Sequence, residues 1–399
     1  MNQGLNQDPI VIVGMARTPM GGFQGALSAA TAPQLGSVAI KAALSEAGLE
    51  TDDVDNVFMG CVLPAGLGQA PARQAALAAG LPESTPCTTI NKMCGSGMQS
   101  VMMACDTIAA GSHDIIVAGG MESMTNAPYL LPKVRDGLRL GHGEVKDHMF
   151  LDGLEDAYEP GRLMGSFAEE AAQAYQFSRE DQDAYAIASL DRANKAITQG
   201  HFDREVTPVT VTNRKGSEQV TIDEQPGKAN VAKIPKLKPA FAKDGTVTAA
   251  NSSSISDGAA ALVLMRRSQA ESRGVMPLAI VRHHTVHARA PAQFTSAPVG
   301  AMKALFDDTG WTPHSVDLFE VNEAFAIVPM IAMKELGLPH DKLNVHGGAC
   351  ALGHPIGASG ARILVTLLAA LAHYDLKTGV ASLCIGGGEG TAMAIERVN

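Results

Sequence analysis

Apolar and polar residues alternate along the chain in blocks that predict short buried strands separated by helices. The first block, Ile10 to Val13, is a short apolar strand ended by Gly14, and a helical pattern follows over Ala32 to Ala47, closed by Gly48. Strand-like and helix-like segments then continue to alternate, which is typical of a parallel sheet covered by helices. The pattern therefore predicts an α/β fold.

A middle segment departs from this pattern. From Tyr129 to Lys243 charged residues cluster, lysines stand near prolines, and a helix-like run extends from Phe167 to Ile197. We interpret residues 126–243 as an inserted loop or cap domain. The rest of the chain forms two halves, an N-terminal one at 1–125 that is completed by about 244–275 and a C-terminal one at 276–399.

An internal repeat relates the two halves. In the first half, a short strand leads to Cys94-Gly-Ser-Gly, then to a helix and to a strand that ends in Gly119-Gly120. In the second half, Gly353-His-Pro-Ile-Gly precedes a helix and a strand that ends in Gly386-Gly387-Gly388. The chemistry-bearing residues thus stand at corresponding turns of two similar units.

The repeat extends upstream, where Asp53 to Val57 resembles Ser315 to Phe319. Two similar α/β halves imply a site built between them, because domain interfaces are favoured places for ligand pockets.

Composition narrows the class of function. Hydrophobic residues make up 46% of the 399 residues and charged residues 18%, as in globular proteins. The net charge of −10 argues against a general nucleic-acid binder, because a phosphate backbone requires a basic surface. No apolar run is long enough for a membrane span, and the N-terminus lacks the basic region of a secretion signal. We therefore expect a cytoplasmic protein without nucleic-acid or membrane partners.

The six cysteines show no C-x-x-C pair and no zinc-ligand spacing, so we expect no metal site and free thiols. Cys94 is the first catalytic candidate, because it lies on a predicted strand-to-helix turn beside Gly95 and Gly97. A helix N-terminus supplies N–H donors and positive potential, which we expect to lower the thiol pKa from about 8.5 towards neutrality. The alternative, an inert buried thiol, is our interpretation of Cys61, Cys87 and Cys105.

Three further polar residues stand at turns suited to chemistry. His354, in a glycine-rich turn before a helix, could deprotonate a thiol or donate to an oxyanion. Cys384 stands at the C-terminal end of a predicted strand, where ligands bind in open α/β sheets, and the glycine run after it lacks the spacing of a nucleotide-binding loop. Asn322 follows the strand Leu318 to Val321, and taken alone it would be interpreted as a helix N-cap.

Four motifs in this order resemble those of the thiolase family: Asn91-Lys-Met-Cys-Gly-Ser-Gly, Asn322-Glu-Ala-Phe, Gly348-Ala-Cys-Ala-Leu-Gly-His-Pro-Ile-Gly and Cys384-Ile-Gly-Gly-Gly. The resemblance extends from the first strand to the last residues of the chain. It implies a fold of duplicated α/β halves, in which two mixed sheets have helices packed between and around them, together with an inserted loop domain.

The resemblance also implies a role for each candidate. Cys94 attacks a thioester to form an acyl-enzyme, and Cys384 is the acid or base that exchanges the α-proton of the second acyl-CoA. His354 assists Cys94 and, with a water held by Asn322, stabilises the enolate oxygen. The backbone N–H groups of Cys94 and Gly386 form the oxyanion hole of the acyl-enzyme. No cofactor is implied, because the CoA thioesters are substrates.

By the same resemblance, a further set of residues lines the CoA tunnel and the acyl pocket: Leu163, Met164, Phe241, Ala249, Ser253, Ala324 and Phe325. Positive charge for CoA could come from Lys228, which lies at or next to the position where the short-chain members have an arginine. It could also come from Lys233, Lys236 and Lys238. Two positions depart from the short-chain pattern, since Leu163 replaces a histidine and Phe294 replaces a methionine.

The favoured function is the reversible condensation of two acetyl-CoA molecules to acetoacetyl-CoA and CoA. A homotetramer is expected, because the loop from Leu131 to Tyr158 looks like that of the acetoacetyl-CoA tetramers. A thiolase for longer or branched 3-ketoacyl-CoA substrates is the alternative, because Leu163 and Phe294 depart from the short-chain pattern. Decarboxylating condensing enzymes and HMG-CoA-synthase-like proteins lack a cysteine at the position of Cys384, and a non-catalytic CoA-binding protein is disfavoured by the filled catalytic positions. The sequence does not distinguish synthesis from degradation.

Overall fold

The structure is a computed structural model that describes residues 8–214 and 216–398. Its strands, in chain order, are β1 (Ile10–Arg17), β2 (Gly21–Gly22), β3 (Asn56–Gly60), β4 (Cys87–Ile90), β5 (Ile116–Ser123), β6 (Tyr129–Leu130), β7 (Lys146–Asp147), β8 (Val209–Asn213), β9 (Gly216–Val220), β10 (Ser256–Arg266), β11 (Ala279–Ala288), β12 (Leu318–Val321), β13 (Thr378–Ile385) and β14 (Glu389–Arg397). Its α-helices are α1 (Ala32–Ala47), α2 (Pro71–Ala78), α3 (Ser96–Ala109), α4 (Met164–Tyr175), α5 (Arg179–Thr198), α6 (Glu224–Lys228), α7 (Arg267–Arg273), α8 (Ala297–Thr309), α9 (Ile327–Leu336), α10 (Ala349–Leu352) and α11 (Ser359–His373).

The main sheet has the strand order β12-β13-β14-β11-β1-β10-β5-β3-β4, with β2 beside β10. In the first half β4, β3 and β5 are parallel, and β10 and β1 continue antiparallel. In the second half β12 and β13 are parallel, and β14 and β11 continue antiparallel. Each half therefore contributes one mixed sheet, as the resemblance implied. The two sheets also join into one ten-stranded sheet, because Val11 and Ile12 of β1 pair with Ile280 and Ala279 of β11.

The same kind of side-chain contact occurs in each half and accounts for part of the internal repeat. The Asp55 carboxylate accepts from the N–H groups of two residues that lead into β5, over 3.0 and 2.8 Å. The Asp317 carboxylate accepts in the same way from two residues at the start of β13, over 3.0 and 2.8 Å. The predicted similarity between Asp53–Val57 and Ser315–Phe319 is confirmed, since each aspartate fixes the entry of the same strand in its half.

Helix α1 has the predicted bounds, because both of its ends carry local signals. The Thr31 hydroxyl accepts from the Gln34 N–H over 3.4 Å, and Gln34 Oε1 accepts from the Thr31 N–H over 2.8 Å. This reciprocal pair is a capping box. At the other end Gly48 has a φ of 66°, a left-handed conformation that costs glycine little.

Helices α3 and α11 occupy equivalent positions in the two halves, and their N-terminal turns are in contact. A Cβ atom at Gly97 would lie 2.8 Å from the backbone nitrogen of Ala361, and one at Gly360 would lie 2.3 Å from that of Met98. Only glycine fits at either place. Helix α11 is buried from Ser359 to Leu371, so it lies between the halves. The chain segments just ahead of both helices are thereby brought together.

The inserted segment contains two helices where the sequence predicted one helical run. Helix α4 ends before Gln176, which has a φ of 57°, and α5 begins after Ser178. The Ser178 hydroxyl accepts from the Asp181 N–H over 3.0 Å and caps α5. The prediction was wrong because it passed over the signal for a second helix start, the capping box that Ser178 forms with Asp181.

Arg17, the last residue of β1, fixes the inserted segment to the first half. Its fully buried guanidinium lies 2.5 Å from the carboxylate of Glu205 and 2.7 Å from that of Asp223. Removing one partner of a buried pair costs about 3–5 kcal/mol, because an uncompensated charge stays behind.

The boundaries given above for the halves and the insertion stay a prediction. Strand β10, which lies within 244–275, pairs with both β1 and β5 of the first half. Across the described residues, none of the helices combines the length and the apolar character that crossing a membrane requires.

Candidate active site

Cys94 lies on the tight turn between β4 and α3, as the sequence predicted. The preceding residue, Met93, has a φ of 47°, and its N–H donates to Asn91 Oδ1 over 3.0 Å. The Lys92 N–H donates to Ser96 Oγ over 2.8 Å, which closes the turn. A left-handed conformation costs a non-glycine residue about 1–2 kcal/mol. The surrounding hydrogen bonds hold this strain at the residue next to the thiol.

The pKa of the Cys94 thiol is raised to about 11, so the prediction of a lowered value was wrong. Burial of the sulfur is the main cause, because the surrounding protein disfavours the thiolate. The N–H groups of Gly386 and of Cys94 itself donate to the sulfur and offset part of this effect, while the charge of Glu122 adds to it. Cys94 is therefore a neutral thiol at pH 7 and requires a base.

His354 has the tautomer that such a base requires. Its Nδ1 lies 2.5 Å from the Ser359 Oγ, and the Ser359 hydroxyl donates its own hydrogen to the Pro355 carbonyl over 2.9 Å. Because the hydroxyl has one hydrogen, it accepts from Nδ1–H, which places the lone pair of the neutral ring on Nε2. Burial and the Arg362 charge lower the pKa of His354 to about 3. The buried Nε2 has no hydrogen-bond partner among the described residues.

Cys384, near the end of β13, is 1% exposed. Its pKa is raised well above the ordinary value by burial and by the charge that Cys94 would carry. The two thiols are thus close enough for a charge on one to oppose a charge on the other. After Cys384 the chain turns through Gly387 and Gly388, which have φ values of 95° and 92°, and this loop directs the Gly386 N–H at Cys94.

Asn322 directly follows β12, and its N–H donates to the Ser382 carbonyl of β13 over 3.0 Å. Its side-chain Oδ1 accepts from Arg362 Nη2 over 3.3 Å. The Nδ2 atom is buried and lacks a partner in the described part of the chain. Asn322 does not cap α9, which begins at Ile327, so the helix N-cap interpretation was wrong. The amide has instead a free donor.

Helix α11 holds both polar groups. Ser359 at its first position fixes the His354 ring, and Arg362 one turn later fixes the Asn322 amide. Because α11 contacts the start of α3, these groups belong to the part of the second half that packs against the helix following Cys94. The arrangement can exchange protons with a thiol and stabilise a negative oxygen.

An aromatic group adjoins these polar residues. The rings of Phe241 and Phe294 lie edge-on to Phe325, with centroids 6.0 and 6.3 Å away, and all three pack in the same cluster as Cys384. Met164 borders the glycine loop, since its Sδ lies 3.7 Å from where a Cβ of Gly386 would be.

The other predicted tunnel residues are placed as follows. The Ser253 N–H donates to the Ala324 carbonyl over 3.0 Å, which joins their segments beside Phe325. Leu163 is half-buried and directly precedes α4, and Ala249 is exposed. Lys228 forms an ion pair with Glu224, one turn earlier in α6, and its role in binding CoA stays a prediction.

Several residues of the site were missed by sequence reasoning. Glu323 is fully buried, and its carboxylate accepts from four groups within 3.1 Å, those of Tyr185, Ser189, Asn344 and Cys350. Ser359 and Arg362 were missed as well. The sequence offered one signal for such residues, namely a charged residue within an apolar run, as Arg362 is within α11. Among the described residues, no group of three potential metal ligands could hold an ion.

Comparison with known proteins identifies the family. A model of the thiolase N-terminal domain matches residues 10–268, and one of the thiolase C-terminal domain matches residues 275–397. The chain belongs to the thiolase family. This thiolase is 49% identical to acetyl-CoA acetyltransferase 1 of Arabidopsis thaliana, over 99% of this chain and 96% of that protein. It is 47% identical to the acetyl-CoA acetyltransferase of Cupriavidus necator, over 97% and 99%, and 47% identical to the cytosolic acetyl-CoA acetyltransferase of Rattus norvegicus, over 100% of both.

Solved structures agree with this membership. The thiolase aligns with the Acat5 thiolase from Ascaris suum in complex with coenzyme A at a TM-score of 0.93 and 41% identity, over 98% of this chain and 100% of that one. It aligns with the Bacillus anthracis acetyl-CoA acetyltransferase at a TM-score of 0.95 and 40% identity, over 98% and 99%. The duplicated fold implied by the motifs is thereby confirmed.

Proposed function

We propose that this thiolase catalyses the reversible condensation of two acetyl-CoA molecules to acetoacetyl-CoA and CoA, with thiolysis as the reverse reaction. The observation that carries the proposal is the proximity of two thiols, Cys94 and Cys384, together with the neutral imidazole of His354, whose buried Nε2 has no partner among the described residues. Relatives matched over nearly their full length are named acetyl-CoA acetyltransferases, which favours the acetyl group as the transferred unit.

In the first step, an acetyl group is transferred to Cys94. His354 Nε2 takes the thiol proton as the sulfur attacks the thioester carbonyl. The carbonyl oxygen becomes an oxyanion that accepts from the N–H groups of Cys94 and Gly386, and each such donor contributes about 3–4 kcal/mol. The C–S bond breaks, and the departing CoA thiolate takes the proton of Cys384. The step leaves acetyl-Cys94, an imidazolium at His354 and a thiolate at Cys384.

In the second step, the Cys384 thiolate removes an α-proton from the methyl group of a second acetyl-CoA. The enolate oxygen accepts from the His354 imidazolium and from a water held by Asn322 Nδ2. The enolate carbon attacks the carbonyl of acetyl-Cys94 and forms the carbon–carbon bond. Cys94 leaves as a thiolate and recovers its proton from His354, which restores both neutral thiols.

The pKa values of the free enzyme fit this order of events. Burial opposes a single charge on Cys94, Cys384 or His354. A His354 imidazolium and a Cys384 thiolate compensate each other's charge when both form in the same step. This charged pair is therefore expected once the acetyl group has been transferred to Cys94 and not in the free enzyme.

The aromatic rings of Phe241, Phe294 and Phe325 support a short acyl group, because they fill space in the same packed cluster as Cys384. The broader-chain alternative is not favoured by the named relatives. Leu163 and Phe294 are then tolerated variations of the acyl pocket.

We also propose a homotetramer assembled through the loop from Leu131 to Tyr158. The loop exposes large apolar side chains, which favours a second copy as their partner: Leu131 at 60%, Leu138 at 55%, Leu140 at 98%, Val145 at 62% and Tyr158 at 70%. Light scattering should give a tetramer, and Leu140→Glu should lower the measured mass.

Cofactor-free catalysis and a cytoplasmic location stay predictions. The mechanism above uses only the two substrates and side chains of this chain. The cysteines are free thiols, which favours a reducing compartment, and the rat relative is named as cytosolic.

The test is CoA-dependent thiolysis of a 3-ketoacyl-CoA series from acetoacetyl-CoA upwards, with a 2-methyl-branched member included. Acetoacetyl-CoA should have the highest kcat/KM. Cys94→Ala should lose turnover while it keeps the fold, and Cys384→Ala should still form acetyl-Cys94. A higher kcat/KM for a longer or branched substrate would reject the acetyl preference, and turnover by Cys94→Ala would reject the mechanism.

A further inference from the structure

Glu122, near the end of β5, is fully buried where the two halves meet. Its Oε2 accepts from the N–H groups of Val62 and Gly357, both over 2.9 Å. Its Oε1 accepts from the Leu63 N–H over 3.1 Å and lies 3.7 Å from the Cys61 sulfur. Backbone groups from both halves therefore share one carboxylate.

Gly357 belongs to the turn that carries His354, and its backbone is pressed onto the first half. Its carbonyl oxygen would lie 2.0–3.1 Å from a Cβ atom added at any of three first-half glycines, Gly60, Gly97 and Gly120. On the other side its N–H donates to Glu122. A Cβ at Gly357 itself would lie 2.6 Å from Glu122 Oε2. Two contacts therefore hold the turn in place. The Gly357 carbonyl packs against the three glycines of the first half, and the Gly357 N–H donates to the Glu122 carboxylate.

The nucleophile and the base come from different halves, so the contacts between the halves set their separation. A misplacement of about 1 Å can cost about 100-fold in rate, because proton transfer requires close geometry. We propose that Glu122 is a positioning residue of the condensation: by binding the Gly357 N–H to the first half, it places His354 Nε2 at Cys94. This inference rests on the proposed function and deepens it.

The role requires the ionised carboxylate, because each oxygen accepts and neither donates. Burial raises the pKa of Glu122 to about 7, with the three N–H groups opposing the shift. The titratable groups that face it are the Cys61 and Cys94 thiols, whose raised pKa values keep them protonated at neutral pH. His354 titrates far below this range. An acid limb of kcat near pH 7 is therefore assigned to Glu122.

The test compares Glu122→Gln with Asp257→Asn. The glutamine keeps the size but replaces one acceptor oxygen by an NH2 group, so a single neutral oxygen is left for the three N–H groups and the hold on Gly357 weakens. Asp257 is a matched control, since it is also fully buried, has a pKa raised by burial and accepts from a backbone N–H, that of Thr125 over 2.9 Å. The measurements are kcat and KM for acetoacetyl-CoA thiolysis from pH 5.5 to 9, with circular dichroism to verify folding.

For Glu122→Gln we expect kcat at pH 8 to fall at least about tenfold, KM to change less than about twofold, and the acid limb to disappear. Asp257→Asn should keep the wild-type profile. A kcat within twofold of wild type, an acid limb that persists in Glu122→Gln, or an equal loss in Asp257→Asn overturns the proposal.

If Glu122→Gln does not fold, Glu122→Asp takes its place, because it keeps the charge and shortens the reach to Gly357. The same fall in kcat at constant KM is then expected, and wild-type kcat overturns the proposal. Absence of thiolysis in the wild-type enzyme would instead reject the proposed function, so the two failures are distinguishable.

Discussion

Arg362 donates to the Oδ1 of Asn322 over 3.3 Å, which makes the amide nitrogen of Asn322 face away from the guanidinium. That nitrogen is buried and has no partner among the described residues. Arg362 lies on α11, one turn after Ser359, which orients His354. One helix therefore fixes the direction of a donor and the tautomer of a base.

Asn322→Asp should separate the two half-reactions. The carboxylate keeps the size and pairs with Arg362, but it removes the donor that the enolate requires. We expect acetylation of Cys94 by acetyl-CoA at a near wild-type rate and condensation slowed about 100-fold or more. Intact mass of the acetyl-enzyme and acetoacetyl-CoA formation measure the two steps. An equal loss in both steps would show that Asn322 acts elsewhere.

Ser359→Ala should free the His354 ring. Without the hydroxyl, Nδ1–H loses its acceptor and the ring can turn or change tautomer, because the partner of one ring nitrogen sets the protonation of the other. We expect kcat to fall about 10-fold to 100-fold, with slower acetylation of Cys94. Ser100→Ala is the control, because that buried hydroxyl bonds to the carbonyls of Gly97 and Gly119. Comparable losses in both variants would refute the orienting role.

The pKa of Cys94 predicts how its alkylation depends on pH. With the value raised to about 11, the thiolate fraction grows about tenfold per pH unit up to that point. In His354→Ala, where no base assists, the iodoacetamide rate at Cys94 should rise steadily from pH 7 to 10. In the wild type the rate at pH 7 should be higher. A plateau below pH 8 in the variant would mean that burial does not dominate the pKa.

Glu122 predicts an effect of pH on stability. Its pKa is about 7 in the folded protein and 4.5 for a free glutamate side chain, so its stabilising contribution is full below pH 4.5 and is lost as pH rises through 7. A shift of this size corresponds to about 3 kcal/mol. Glu122→Gln lacks the titration, so the Tm of the variant relative to wild type should rise between pH 5 and pH 8. Thermal unfolding at both values tests this, and a constant difference would contradict it.

The contact between α3 and α11 predicts the cost of one methyl group. In Gly360→Ala the new Cβ would lie 2.3 Å from the Met98 backbone nitrogen, so the helices must separate. We expect the free energy of unfolding to fall by about 1–3 kcal/mol, or more. Gly227→Ala is the matched control, because nothing lies within 4 Å of its Cβ position. Urea titration of both variants decides, and equal stabilities would rule out close packing at Gly360.

Features with local signals were predictable from the sequence. The bounds of α1 followed from Thr31 and Gly48, and the turn at Cys94 followed from the glycines around it. The start of α5 also carried a local signal, the capping box of Ser178 and Asp181, whereas the left-handed Gln176 that ends α4 carried none.

The electrostatics of the site depended on the folded structure. A helix N-terminus suggested a lowered pKa for Cys94, but burial by distant segments reverses the shift. Glu122 stands out in the sequence as a charge within an apolar strand, yet its partner Gly357 lies in the other half of the chain. The motifs therefore identified which residues take part, and the packing of the halves determined their protonation.

The glycine contact around Gly357 has a consequence for the history of the chain. Gly60, Gly97 and Gly120 lie on one side of it and Gly357 on the other, with no room for a methyl group on either. The atom that such a methyl group would meet from the first half is the main-chain oxygen of residue 357, which every amino acid carries. The first copy of the unit is therefore confined to glycine along this seam, whatever side chains the second copy acquires.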